Sequence, residues 1–217
     1  MSLINSETQF YGQYGTLEGL VSIPEKIHGI SFICHPNPTQ GGNYTNKVVH
    51  SLNSVLLDNG FITVRYNCAG VGNSQGTFSA DSDHVQDFIS VYKQSIERFV
   101  STRNLSNFLT VFAGFSFGAY LVNRAQDIIR PDLTVYAGLP VGKWPLVGQN
   151  SKSFLIHGEL DEVIELGAVF DWAHINSVSV CVVPKADHFF SRKLTILKSA
   201  VANEVESLLY THEFEDK

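Results

Sequence analysis

The chain has 217 residues, 44% of them hydrophobic, and a formal net charge of −6; this length suits one well-buried domain and is short for two. Its acidic and basic residues are interspersed without a basic stripe, so nucleic acid is not expected as a partner. Because no apolar run reaches the length of a membrane span and the first residues lack a basic segment followed by an apolar one, we expect a cytoplasmic protein that does not enter a membrane.

Strands and helices are predicted to alternate along most of the chain. Residues 8–23 alternate around three glycines and predict an opening hairpin that ends at Pro24. Further strands are predicted at 30–34, 61–66, 109–113, 133–137, 153–157 and 177–183, and helices at 47–58, about 82–102, directly after 116, from 162, and about 192–209.

Most of these strands are apolar throughout, as strands buried on both faces are. We therefore expect an α/β fold in which a mostly parallel, twisted sheet carries helices on both faces. No linker or low-complexity segment interrupts the pattern, so residues 1–217 are predicted to form a single domain.

The three cysteines, Cys34, Cys68 and Cys181, each lie in or beside a predicted apolar strand. Their number is odd, and their spacing matches neither a zinc site nor a disulfide framework. Buried, reduced thiols are expected, and neither a metal nor a cofactor is predicted.

The segment 109–121 predicts a strand, a tight turn and the start of a helix, with Gly114-Phe115-Ser116-Phe117-Gly118 at the turn. Such a turn holds one side chain in a strained backbone conformation above the sheet, and small residues two positions away let strand and helix pass closely. The same pentapeptide pattern also arises by chance, so the interpretation needs a base and an acid nearby. Ser116 is the predicted nucleophile.

The base and the acid should lie in loops that leave the carboxyl ends of the strands, because sites form at that edge of a parallel sheet. Among the histidines after Ser116, only His188 directly follows a predicted strand in this way. His174 precedes that strand, and His212 lies beyond the last helix. His157 ends a strand, where a histidine packs more often than it reacts. His188 is therefore the predicted base.

The loop after the 153–157 strand offers three carboxylates for the acid. Asp161 has the best spacing to turn back over the sheet, whereas Glu162 begins the next predicted helix, where an acid in the first turn is common. Glu159 remains an alternative. Asp187 is interpreted as structural, because neighbours in a tight loop rarely face each other.

Nucleophile, acid and base thus follow in the order Ser116, Asp161, His188, which is the order of the α/β-hydrolases. The surrounding motifs resemble this superfamily along almost the whole chain: Gly114-Phe115-Ser116-Phe117-Gly118 resembles the nucleophile elbow, His157-Gly158-Glu159-Leu160-Asp161 the acid loop, and Ala186-Asp187-His188-Phe189 the histidine loop. His35-Pro36-Asn37-Pro38, with Gly41-Gly42-Asn43 and Gly70-Val71-Gly72, is similar to a small bacterial subgroup of lidless, dienelactone-hydrolase-like serine hydrolases. That subgroup carries an aromatic residue and an arginine where Cys68 and Ala69 stand here.

The resemblance implies a hydrolase that cleaves carboxylic esters or thioesters of small to medium acyl groups through an acyl-enzyme. Backbone N–H groups of Phe117 and Asn37 are the expected donors to the oxyanion; the prolines on either side of Asn37 have no N–H to give. The alternative is that this proline-containing segment is only a rigid turn and donates nothing to the oxyanion. Lactone or peptide hydrolysis with the same three residues, and a catalytically silent binding protein, are the alternative functions.

Residues 138–152, where a helical lid usually inserts, are too few for one. Phe78, Phe115, Phe117 and Trp144 are candidates for an apolar rim, with core packing as the alternative for each. The expected partner is a small-molecule acyl substrate, and the protein is expected to be a monomer or a homodimer.

Overall fold

The computed structural model describes residues 4–79, 83–103 and 107–215. The strands are β1 (Ile4–Gly12), β2 (Gly15–Ile23), β3 (Gly29–Cys34), β4 (Phe61–Tyr66), β5 (Leu109–Phe115), β6 (Leu133–Ala137), β7 (Ser153–Gly158) and β8 (Ser179–Val183). The helices are α1 (Lys47–Asp58), α2 (His84–Ser95), α3 (Phe117–Ala125), α4 (Leu166–Asn176) and α5 (Leu194–Glu215).

The eight strands of the described residues join one sheet in the order β1-β2-β4-β3-β5-β6-β7-β8. β1 and β2 form the predicted hairpin, and β2 pairs antiparallel with β4. Every other neighbouring pair is parallel. The expected mostly parallel sheet is therefore confirmed, and the loops that follow β3 to β8 meet at one edge.

Helices cover both faces of this sheet, as the strand pattern predicted. α1 and α5 pack on one face because each carries an apolar stripe at helical spacing, such as Leu52 and Leu56 in α1 and Leu197 and Val201 in α5. The buried residues of α2, α3 and α4 join the core on the other face. The central strands β3, β4 and β5 are buried along their whole length.

Three of the predicted helices have different bounds in the structure. α2 ends at Ser95, and the chain continues as a wider π-helical turn over Ile96–Val100 and a short 3₁₀ turn over Ser101–Arg103. The predicted start of this helix, at about residue 82, lies outside the described residues. α4 begins at Leu166 rather than at 162, and Glu165 directly precedes it. Residues 162–164 form a bend instead, in which the Asp161 carboxylate accepts from the N–H groups of Val163 and Ile164. α5 begins at Leu194 and runs on to Glu215.

Residues 138–152 join β6 to β7 without a helix, so no lid covers the carboxyl edge of the sheet at this connection. None of the helices in the described part of the chain is both long and apolar enough to cross a membrane.

Candidate active site

Ser116 stands at the turn between β5 and α3 with φ 54° and ψ −117°, a backbone conformation that residues with a side chain rarely adopt. Its N–H donates to the carbonyl of Ala137 at 2.9 Å, and its own carbonyl accepts from Ala119 and Tyr120 in the first turn of α3. The turn is thus fixed to β6 on one side and to α3 on the other. This conformation is that of a strained strand-to-helix turn, as the sequence predicted.

The two glycines that flank this turn are required by close approach of the backbone. A Cβ atom at Gly114 would lie 2.2 Å from the carbonyl oxygen of Gly118. A Cβ atom at Gly118 would in turn lie 2.2 Å from the carbonyl oxygen of Cys34, at the end of β3. Strand β5, helix α3 and the end of β3 are therefore in backbone contact directly beneath Ser116.

The structure brings Ser116, His188 and Asp161 together at the carboxyl edge of the sheet. Nε2 of His188 lies 3.1 Å from Oγ of Ser116. Nδ1 of the same ring lies 2.7 Å from Oδ2 of Asp161. Because a carboxylate has no proton to give, Nδ1 is the donor of that bond, and Nε2 is free to accept a proton from the serine. The His188 ring is 3% exposed and packs against the ring of Phe115, with centroids 5.1 Å apart.

Asp161 is held by donors on both of its oxygens. Oδ1 accepts from the N–H groups of Val163 and Ile164, and Oδ2 accepts from His188. Burial alone would raise the pKa of this carboxyl, but the hydrogen bonds from His188 and from the two N–H groups outweigh it, so the pKa is lowered. The lowered pKa favours the ionised carboxylate, which is the form that accepts from Nδ1–H of His188.

The other acids near the base have different partners. Oε2 of Glu159 accepts the N–H of Lys185 at 2.8 Å, so this carboxylate holds the backbone of the loop that precedes His188. Oδ1 of Asp187 accepts the N–H of Ser191 at 2.8 Å, which agrees with a structural role. Among the candidates from the sequence, Asp161 is the one in contact with the His188 ring.

His157, which we expected merely to pack, is buried behind the Asp161 carboxylate. Its Nε2 atom lies 3.0 Å from the carbonyl oxygen of Ile164 and 3.4 Å from Oδ2 of Asp161. Burial lowers the pKa of this histidine, so the ring is neutral and donates from Nε2. Sequence reasoning missed this contact; the only available signal was the spacing of four residues from Asp161.

The loop after β3 is fastened by His35, whose ring is 1% exposed. Nδ1–H of His35 donates to the carbonyl of Pro36 at 2.7 Å, and Nε2 accepts the N–H of Cys68 at 3.1 Å. This pattern needs the neutral ring, and burial lowers the pKa of His35 to about 4. His35 thus ties the loops after β3 and β4 together, a role that the sequence did not reveal.

Asn37, in the same loop, is fixed by its own turn. Its side-chain oxygen accepts from the N–H of Thr39, and its carbonyl accepts from the N–H groups of Gln40 and Gly42. Within the described residues, the N–H groups of Asn37 and Phe117 donate to no other protein group. Phe117 is the first residue of α3, where the N–H groups of a helix lack intrahelical partners.

The aromatic residues proposed for a rim separate into two groups. Phe78 and Trp144 both contact the ring of Phe117, at centroid distances of 5.6 and 5.0 Å. Phe115 instead packs with His188 and Phe189, because the turn at Ser116 separates the end of β5, where Phe115 lies, from the start of α3, where Phe117 lies. The expectation that Phe115 shares one rim with Phe78 and Trp144 is therefore corrected.

Cys34 and Cys68 are buried free thiols, and burial raises the pKa of each, so both stay protonated. Within residues 4–79, 83–103 and 107–215, no group of histidine, cysteine, aspartate and glutamate side chains is arranged to hold a metal ion. At this edge of the sheet a serine hydroxyl lies next to an imidazole, an arrangement that suits nucleophilic catalysis.

Known proteins are similar to this chain in sequence and in fold. No family model matches the chain. In sequence it is 27% identical over 213 residues to an uncharacterized protein of Rickettsia prowazekii, covering 88% of this chain and 85% of that protein.

Two solved structures are similar in both sequence and fold. An α/β serine hydrolase without a lid from Xanthomonas campestris is 29% identical, with a TM-score of 0.86 and 94% of each chain covered. An α/β serine hydrolase homologue from Coxiella burnetii is 29% identical, with a TM-score of 0.84 and coverage of 92% of this chain and 96% of that one. A dienelactone hydrolase from Anabaena variabilis shares the fold at 16% identity and a TM-score of 0.72. The chain is therefore a lidless α/β-hydrolase-fold protein, and the resemblance to the serine hydrolases of this fold, which its motifs predicted, is confirmed.

Proposed function

We propose that this protein is a serine hydrolase that cleaves carboxylic esters or thioesters of small to medium acyl groups. The observation that supports it most directly is the pair of hydrogen bonds that connect Asp161 to His188 at 2.7 Å and His188 to Ser116 at 3.1 Å. A carboxylate, an imidazole and a serine hydroxyl linked in this way suit nucleophilic attack on an acyl carbon.

In this mechanism Oγ of Ser116 bonds to the acyl carbon while its proton moves to Nε2 of His188. The charged imidazolium is stabilised by Asp161, which accepts from Nδ1–H throughout. The bond from the acyl carbon to the alcohol or thiol then breaks, and His188 gives its proton to the departing oxygen or sulfur. Water repeats the sequence on the acyl-enzyme, which releases the acid and restores Ser116.

The negative oxygen of the tetrahedral intermediate needs donors that are already in place. We assign this role to the N–H groups of Phe117 and Asn37. The former lies at the positive end of α3, and the latter is held in the loop that His35 fastens. A preorganised donor of this kind contributes about 3–4 kcal/mol to the transition state.

Labelling with a fluorophosphonate probe, followed by mass spectrometry of the digested protein, tests the nucleophile. We expect one adduct, on Ser116, and no adduct in the Ser116→Ala variant. A wild-type protein that is folded but not labelled would favour a binding protein without catalytic activity.

A substrate panel tests the reaction class. We expect esters and thioesters of short acids to turn over faster than lactones and amides, and Asp161→Asn to lower kcat by orders of magnitude, since the amide favours the wrong tautomer of His188. If amides or lactones were the fastest substrates, the proposed substrate class of esters and thioesters would be wrong. Asp161→Asn at the wild-type rate would remove Asp161 from the mechanism.

A further inference from the structure

A group of aromatic side chains surrounds the ring of Phe117, the residue after Ser116. Three half-buried rings contact it: Phe78, Tyr120 and Trp144, with centroid distances of 5.6, 5.7 and 5.0 Å. We call these three side chains the aromatic shelf. Phe117 itself is buried and forms its base.

The members of the aromatic shelf come from three different parts of the chain that meet at the carboxyl edge of the sheet. Phe78 lies in the loop after β4, Tyr120 in the first turn of α3, and Trp144 in the connection after β6. Tyr120 and Trp144 are stacked, with centroids 5.1 Å apart and an interplanar angle of 29°. Behind Phe78 stacks the ring of His84, at 4.6 Å and 13°. The rings support one another while each keeps part of its surface exposed.

A second aromatic group lies on the other side of Ser116, around His188. Phe189 is 49% exposed, with its centroid 5.3 Å from that of His188, and Phe115 packs against both. Phe189 also lines a cavity of about 590 Å³. Among the described residues, no ring contact joins this group to the aromatic shelf.

In the proposed reaction, the leaving group and the acyl group of the substrate lie on different sides of Ser116. The leaving alcohol or thiol takes its proton from Nε2 of His188, so it departs on the His188 side. The acyl group remains bonded to Oγ of Ser116 after the leaving group has departed, and the side of Ser116 away from His188 is the side of Phe117 and the aromatic shelf. An acyl group that carries a ring and lies on that side would meet the exposed parts of these half-buried side chains, and aromatic groups pack with one another in offset or edge-to-face geometry.

We propose, building on the proposed function, that the aromatic shelf is the acyl-binding site and that it selects esters of aromatic acids, such as phenylacetate, over acetate. Phe189 contacts the leaving group instead. Selection at the acyl side and selection at the leaving side are therefore set by different residues.

The test compares two series of substrates. In the first, 4-nitrophenyl acetate and 4-nitrophenyl phenylacetate differ only in the acyl group; in the second, ethyl acetate and 1-naphthyl acetate differ only in the leaving group. We expect Trp144→Ala to lower the phenylacetate-to-acetate ratio of kcat/KM by about tenfold, mainly through KM, and to leave the leaving-group ratio unchanged. Phe189→Ala should show the opposite pattern.

Matched variants separate binding from general damage. Trp172 is the second tryptophan of the chain and is also half-buried, but it packs on Tyr136 rather than on the aromatic shelf. Trp172→Ala should leave both ratios at their wild-type values, and Trp144→Phe should restore most of the acyl selectivity. Phe78→Ala provides a second variant of the aromatic shelf if Trp144→Ala fails to fold.

An acyl ratio that Trp144→Ala and Phe78→Ala leave unchanged, or a change confined to the leaving-group series, would overturn the proposal. If the wild-type protein hydrolyses no ester, the proposed function is wrong. The aromatic shelf can then still be tested as a binding site for aromatic acids. Titration of Trp172→Phe with phenylacetate should then quench the fluorescence of Trp144, whereas acetate at the same concentrations should not. Equal or absent quenching by both acids would overturn the aromatic shelf as a site.

Discussion

The ring of His157 lies against the Asp161 carboxylate, with Nε2 3.4 Å from Oδ2, the same oxygen that accepts the hydrogen bond of His188. Because Nε2 also lies 3.0 Å from the carbonyl oxygen of Ile164, the ring spans the turn that holds the acid. Asp161 is therefore positioned by two imidazoles, one that faces Ser116 and one that faces the core.

We predict that His157→Leu lowers kcat about tenfold and the free energy of unfolding by about 1–3 kcal/mol, since the buried carbonyl of Ile164 loses its donor. His157→Gln, which keeps a donor, should recover part of both. Steady-state kinetics and urea unfolding measure the two effects. His174→Leu, at an exposed site on α4, is the control; a His157→Leu protein with wild-type kcat would show that the ring has no influence on Asp161.

The positive φ of Ser116 predicts a difference between two inactive variants. Both Ser116→Ala and Ser116→Gly should lose ester hydrolysis and remain folded. Glycine adopts φ 54° without steric cost, whereas alanine does not, so we expect Ser116→Gly to be about 1 kcal/mol more stable than Ser116→Ala. Denaturant unfolding of both proteins checks this, and an alanine variant as stable as the glycine one would mean that the turn stores no strain.

Gly118 and Gly167 predict opposite effects of one added methyl group. Gly118→Ala places a Cβ atom 2.2 Å from a backbone oxygen, so we expect a loss of about 3 kcal/mol, or no folded protein. At Gly167 in α4 the nearest atom to an added Cβ is 3.7 Å away, so Gly167→Ala should stabilise by about 0.5–1 kcal/mol through helix propensity. Thermal unfolding of the pair tests both, and a Gly118→Ala protein with the wild-type Tm would contradict the close approach of α3 and β3.

The lowered pKa of His35 predicts a pH-dependent part of the stability. The folded ring titrates at about 4, whereas an unfolded histidine titrates near 6.5. Between these values the unfolded state binds more protons, so the free energy of unfolding rises as the pH rises from 4 to 6.5, by at most about 3 kcal/mol from this group. Above 6.5 the contribution is complete.

Urea unfolding at several pH values between 4 and 7 measures this slope. His35→Gln should flatten it, while the exposed His50 on α1 offers a matched control, His50→Gln, that should not. Equal slopes in the wild type and in His35→Gln would mean that His35 is not held neutral by the fold.

The sequence located the candidate site because the topology of a parallel sheet is regular. Ser116, Asp161 and His188 each follow an apolar strand, and parallel strands bring the segments that follow them to one edge. The same rule found Asn37 after β3. No distances were needed for these inferences, only the order of strands and loops.

Details that depend on three-dimensional turns were not accessible in this way. Glu162 looked like the first turn of a helix, but residues 162–164 form a bend whose N–H groups at Val163 and Ile164 donate to Asp161, and the helix begins only at Leu166. Phe115 and Phe117 are two residues apart, yet the turn at Ser116 places them in different aromatic groups. The contacts of His35 and His157 depend on loop geometry that residue types alone do not encode.

The two hydrogen bonds of His35 also make this ring a spectroscopic reporter. Its Nδ1 proton is buried and bonded to a carbonyl, so it should exchange slowly with solvent and give a resolved downfield resonance in proton NMR spectra. Movement of the loop that carries Asn37 would break this bond and broaden or remove the signal. Ligands that reorganise the loop could thus be recognised by the change in one resonance, independently of any turnover.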